Sequence, residues 1–189
     1  PLGRIAVFTE GRLKSFGSFA NAQMQFVTGP RSIAGQPSDF TYLDLLFRPD
    51  AYADADILYV KNREVRARLA AALLRDDPML KERMAAFESS GLISEALLSR
   101  PALSEEIRAL EQDLVRSAKQ MDALKGALQV KQPQALLGML RVIPPGDGSL
   151  DKPWVSIGDL MLLGADPATL PPAVRERPAR SIEGLPVEA

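Results

Sequence analysis

The sequence predicts a mainly α protein (α+β with a minor sheet), made of helices and up to three short strands. Apolar residues recur at three- and four-residue spacing over much of the chain, the period of a helix with one buried face. Short β-branched or aromatic runs occur at only three places, residues 5–8, 57–60 and 140–143. Strands and helices do not alternate regularly enough for a doubly wound sheet.

The elements follow in order. Residues 5–8 read as a strand that Gly11 breaks, after which Ser15 or Ser18 can cap a helix running to about Val27. On that helix Phe16, Phe19, Ala20, Gln23 and Val27 share a face, and Thr28-Gly29-Pro30 stops it. Ser38 is expected to cap a helix through Phe47, whose apolar side is Tyr42, Leu45 and Leu46. After a strand at 57–60, Asn62 caps a helix over 63–74. Asp77-Pro78 starts the next one, which Ser89-Ser90-Gly91 breaks. Residues 93–98 read as a further helical turn or two. Residues 140–143 form the third strand, ended by Pro144-Pro145-Gly146, and Ser156 caps a helix over 157–163.

The longest expected element is one amphipathic helix over about 104–130. Ile107, Leu110, Leu114, Met121, Leu124 and Leu128 form a heptad seam that only Ser117 interrupts. The seam is either a coiled-coil dimerisation surface or an antiparallel hairpin packed on its own domain. Roughly three heptads are near the minimum for an independent coiled coil, which favours the hairpin. If the seam is interior, Leu114→Asp should unfold the protein. Residues 1–164 are expected to form a single globular domain. Pro167, Pro171, Pro172, Pro178 and Pro186 make 165–189 an extended linker or tail.

Composition limits the chemistry. The 189 residues include no histidine and no cysteine, so ordinary acid–base chemistry near neutral pH, thiolate nucleophiles and disulfides are all absent. Zinc and haem sites lose their usual ligands, and the expectation is a non-enzymatic chain with no cofactor and no metal. A formal net charge of −1 offers no global attraction to nucleic acid. No apolar run approaches the roughly 18 residues needed to span a bilayer. The chain starts at Pro1 rather than Met, which reads as a processed or excised protein. Asp44, Asp50, Asp54 and Asp56 lack the spacing of a calcium loop and read as solvated. Lys61 beside Tyr59 could be a nucleophile pair, but nothing else in the sequence supports it.

One constellation stands out: Glu10-Gly11-Arg12-Leu13-Lys14-Ser15-Phe16-Gly17-Ser18-Phe19-Ala20. Two cations in a glycine-flanked turn before a helix start could hold a carboxylate or phosphate. In the alternative reading, Arg12 and Lys14 pair with Glu10 and another carboxylate in a solvated turn.

The segment resembles the Gly-Arg-aliphatic-Lys-Pro-hydrophobic-Asp-Thr-hydrophobic-Ala signature in extracytoplasmic regions of system II-type bacterial cytochrome c biogenesis (haem export and ligation) membrane proteins. Gly11, Arg12, Leu13, Lys14, Phe16, Phe19 and Ala20 fit it, whereas Ser15, Gly17 and Ser18 depart from it. Looser likeness continues through Leu43 to Pro49, strand 57–60 with Asn62, and Trp154, Ser156 and Asp159. The resemblance implies an extracytoplasmic, periplasmic-side domain of a larger membrane protein. It would act in interaction or positioning during cytochrome c assembly, with Gly11, Arg12 and Lys14 as its binding residues. Its partners would be other parts of the parent protein or assembly proteins, not nucleic acid. The family's haem-ligating histidines lie elsewhere in such proteins. The alternative is a free-standing helical adaptor, cytoplasmic if the resemblance is wrong, that forms a homodimer through the long helix.

Overall fold

A computed structural model describes residues 2–30, 32–145 and 152–162, and in this range the protein is mainly helical with a few short strands. Strands β1 (Ala6–Thr9) and β2 (Arg12–Ser15) form an antiparallel hairpin in which Thr9 faces Arg12 and Val7 faces Lys14. Its two-residue turn places Glu10 at φ 50° and Gly11 at φ 73°, the left-handed pair that matches strand twist. Sequence reasoning places a turn and a helix start at residues 11–15. β2 is therefore an addition, formed by pairing rather than by any β-rich pattern in Arg-Leu-Lys-Ser.

Helix α1 (Phe16–Thr28) is capped by Ser15, whose Oγ accepts the Ser18 N–H at 3.2 Å, and ends at Gly29. Phe16, Phe19, Ala20, Met24 and Val27 are buried along it. α2 (Ser38–Phe47) starts one residue earlier than expected. Pro37 occupies the cap position, and the Ser38 hydroxyl instead bonds Asn21 Oδ1 at 3.1 Å. Tyr42 of α2 is fully buried against α1, edge-on to Phe16 and Phe19, and its hydroxyl donates to the Leu136 carbonyl at 2.6 Å. Burial drives its phenol far above the ordinary range.

β3 (Leu58–Tyr59) leads to α3 (Arg63–Asp76), whose cap Asn62 accepts from the Glu64 and Val65 N–H groups. Asp77 and Pro78 open a 3-10 turn that runs into α4 (Lys81–Ser90), and Gly91 closes α4 at φ 79°. β4 (Leu92–Ile93) pairs with β3 and precedes α5 (Glu95–Leu98). β4 lies at the start of a stretch expected to be helical. β5 (Arg141–Ile143) pairs with β6 (Val155–Ser156). The three anticipated strands thus do not share one sheet; each finds its own short partner, giving three two-stranded ribbons.

The helix expected over 104–130 is two helices. α6 (Ser104–Gln112) ends, the chain turns at 113–117, and α7 (Ala118–Val130) packs back against α6. Asp113 organises the turn: its carbonyl accepts from the Ser117 and Ala118 N–H groups, and its Oδ1 from the Arg116 N–H. Ser117, the seam's interruption, is buried and donates to the Leu110 carbonyl at 2.7 Å. Leu110, Met121 and Leu124 are core residues, while Leu114 at the turn is 83% exposed. The hairpin alternative of the two seam readings fits this geometry. A continuous dimerising helix does not.

α8 (Pro133–Met139) and α9 (Ile157–Leu162) pack together. Ser156 and Asp159 cap α9 reciprocally, at 2.9 and 3.1 Å. One apolar core runs from Val7 to Leu140. Trp154 stacks on Phe8, with ring centroids 6.4 Å apart and planes 14° off parallel. Gly146 at the end of the third expected strand, the boundary at residue 164 and the tail 165–189 lie outside the described residues.

Candidate functional site

The hairpin brings Gly11, Arg12 and Lys14 together, with Glu10 as their organising charge. Lys14 Nζ donates to Glu10 Oε2 at 2.8 Å, and Arg12 Nη2 lies 3.6 Å from the same oxygen. Lys14, and Arg12 to a lesser degree, hold the Glu10 carboxyl below its usual range. Both cations are thus directed to a carboxylate of their own hairpin, as the solvated-turn reading expects of Glu10. The two differ in exposure. The Arg12 side chain is 68% exposed, whereas Lys14 is 23% exposed and pinned. Leu13 points to the other face and remains 40% exposed. Beneath the tip lies a cleft of about 330 Å³ whose lining includes Phe8, Gln23, Met139 and Arg141.

Asp54 and Asp56 are exposed, as the solvated-loop reading expects, and Arg83 clamps them together. Arg83 Nη2 reaches Asp54 Oδ1 and Asp56 Oδ1, both at 2.9 Å, and the buried Ser94 hydroxyl at 3.0 Å. Arg83 Nε adds a second bond to Asp56 at 3.1 Å. Among the described residues no cluster of three acidic groups is left to hold a metal. The Arg83 bond holds the Asp54 carboxyl below its ordinary value, so its stabilising effect is complete above the unfolded carboxylate range. That effect fades as pH falls through the depressed folded value. Arg83→Met should therefore flatten the pH dependence of urea stability on the acid side, below about pH 4. An unchanged acid limb would show that the clamp carries no linkage.

Asp44, the other acidic candidate, accepts from the Tyr52 hydroxyl and from Arg48 Nε at 2.6 Å. The Tyr52 bond chiefly holds its carboxyl down, and burial together with Asp44 pushes the Tyr52 phenol up to about 12. Asp50 is exposed in the 3-10 turn Pro49–Tyr52 and joins none of these groups.

Among the described residues no hydrogen bond joins Tyr59 to Lys61, although both line one groove. The Tyr59 ring lies against Gly29, the C-cap of α1, where a Cβ would approach within 2.4 Å of it, and the Arg66 guanidinium sits 5.4 Å from its centroid. Arg66, itself buried, donates to the carbonyls of Val60 (2.6 Å), Glu88 (3.1 Å) and Lys61 (3.4 Å). Gly91 covers its far side, with no room for a Cβ. Sequence reasoning missed Arg66 because nothing local marks it; only the convergence of α3, α4 and β3 explains a buried cation there.

No protein-family model matches the chain, and no curated protein matches it.

Proposed function

We propose that this protein is a non-catalytic, extracytoplasmic domain of a membrane protein that takes part in cytochrome c assembly, where it positions or contacts partners through the β1–β2 hairpin. The observation that carries the reading is how the signature residues divide in the fold. Gly11 has a conformational reason, the left-handed turn; Phe16, Phe19 and Ala20 have a packing reason, burial in the core. Arg12 and Leu13 have neither, since both are exposed. Residues that fit a signature without serving the fold are candidates for recognition. Lys14 then acts with Glu10 as the brace that holds the hairpin's shape, and Arg12 is the charge offered to an acidic partner.

In the full-length membrane protein, Arg12→Ala together with Lys14→Ala should reduce holocytochrome c several-fold. The isolated domain should keep its melting temperature within about 2 °C, because both ion pairs end on the solvent-exposed Glu10 carboxylate and contribute little. Normal maturation by the folded double variant would remove the hairpin from consideration. A parallel loss of folded protein and maturation would make the pair part of the scaffold instead.

A further inference from the structure

Most charged side chains near the core are answered by opposite charge: Arg83 by Asp54 and Asp56, Arg68 by Glu106, Arg100 by Asp76 and Asp77, Lys131 by Glu95. One groove breaks this pattern. Lys61, Arg116 and Lys119 line it together, no acidic residue lines it, and none of the three has an ion-pair partner among the described residues. Its apolar lining includes Phe26, 48% exposed, and Tyr59, and its volume is about 1000 Å³. Asp113 lies nearby but engages the Arg116 backbone N–H rather than its guanidinium.

Stability does not account for this gathering of cations. Arg116 and Lys119 stand at the N-terminal end of α7, where the macrodipole disfavours positive charge and no acidic residue occupies the first turn. The walls are also braced. Gln120 Oε1 accepts from the Lys61 and Asn62 N–H groups, both at 3.1 Å, and Asn62 Nδ2 donates to the Arg116 carbonyl at 3.1 Å. The backbones carrying the three cations are thereby held at set separations, as preorganised recognition requires.

We propose that the groove between α1, β3 and the start of α7 docks an acidic, extended segment of a partner protein, its carboxylates on Lys61, Arg116 and Lys119 and an apolar side chain against Phe26 and Tyr59. Charge complementarity selects this occupant. Three cations are few for a nucleic-acid backbone, and the net charge of −1 adds no general attraction to one. The concave shape and the aromatic lining suit a peptide better than a flat lipid surface. Phe26 lies ten residues beyond Phe16 on α1, about 15 Å along the axis, so the groove is separate from the hairpin and stands whatever the role of Arg12.

Isothermal titration calorimetry of the whole chain with an acetylated, amidated peptide alternating glutamate and leucine tests this. The expected result is saturable one-to-one binding, weakened about tenfold or more when glutamine replaces glutamate. Lys61→Glu with Lys119→Glu should weaken it at least as much, while the charge-matched control Lys81→Glu with Arg108→Glu, two exposed cations outside the groove, stays within about twofold. If the first pair fails to fold by circular dichroism, Lys61→Gln with Lys119→Gln replaces it under the same expectations. Absence of saturable binding, equal binding of the glutamine peptide, or equal loss in the control each overturns the proposal. So does binding to phosphatidylglycerol vesicles through these lysines without any peptide binding.

Discussion

Arg66→Met should lower the free energy of unfolding in urea by about 3 kcal/mol or more, although no carboxylate pairs with Arg66 among the described residues. The guanidinium is buried and bridges the carbonyls of Val60 and Lys61, after β3, to the carbonyl of Glu88 near the end of α4. Methionine fills much of the same space but leaves those carbonyls without their donor. An unpaired buried acceptor costs about 1–3 kcal/mol, and more than one is affected. The end of α4 also loses a cation that complements its dipole. Arg66→Lys should recover little, since a single ammonium cannot span a fork of separate carbonyls. A loss below about 1 kcal/mol in Arg66→Met would show that water replaces the guanidinium at little cost. The surrounding glycines belong to the same construction. At Gly91 the φ of 79° and a would-be Cβ contact of 2.4 Å with Arg66 both exclude a side chain.

Leu110→Asp and Leu114→Asp should give opposite results, despite lying four residues apart in one heptad register. Leu110 is fully buried against α7, so an aspartate there is an unpaired charge in the core. It should cost about 4 kcal/mol or more and unfold the domain at ambient temperature. Leu114 is 83% exposed at the turn, so its aspartate variant should melt within about 2 °C of the parent. This reverses the expectation from the heptad seam, in which Leu114 would be interior. Circular dichroism melts of the two variants decide it; unfolding by Leu114→Asp would return Leu114 to the interior of the seam.

That contrast shows what could be read from the sequence and what could not. Capping residues act locally, so Asn62, Asp77 with Pro78, Gly91 and Ser156 were legible, as were the buried faces holding Phe16, Phe19, Tyr42 and Leu45. The turn after α6 was not. It contains neither glycine nor proline, and apolar Leu114 and Val115 continue the helical pattern through it. Only Asp113 and Ser117, side chains that can replace helical hydrogen bonds, hinted at a break. β2, β4 and β6 were missed for another reason. Strands of two to four residues carry almost no pattern of their own and exist because a partner lies beside them. The pairing of Glu10 with Arg12 and Lys14 was legible as one of two readings of their segment, but the β1–β2 hairpin that places it beside both cations was not. Arg66 and the cationic groove were out of reach, because each joins residues far apart in the chain.

The stacking of Phe8 on Trp154 has a kinetic consequence. These rings are separated by nearly the whole described chain, so joining them closes one of the largest loops in the molecule. Helices such as α3 and α4 form through near neighbours, but this joint must wait until the intervening segments have condensed. Trp154 is the sole tryptophan, so its fluorescence reports that late event alone, while far-ultraviolet ellipticity reports the helices. In refolding from urea the two signals should therefore separate in time, ellipticity first, and Phe8→Leu should slow the second without delaying the first.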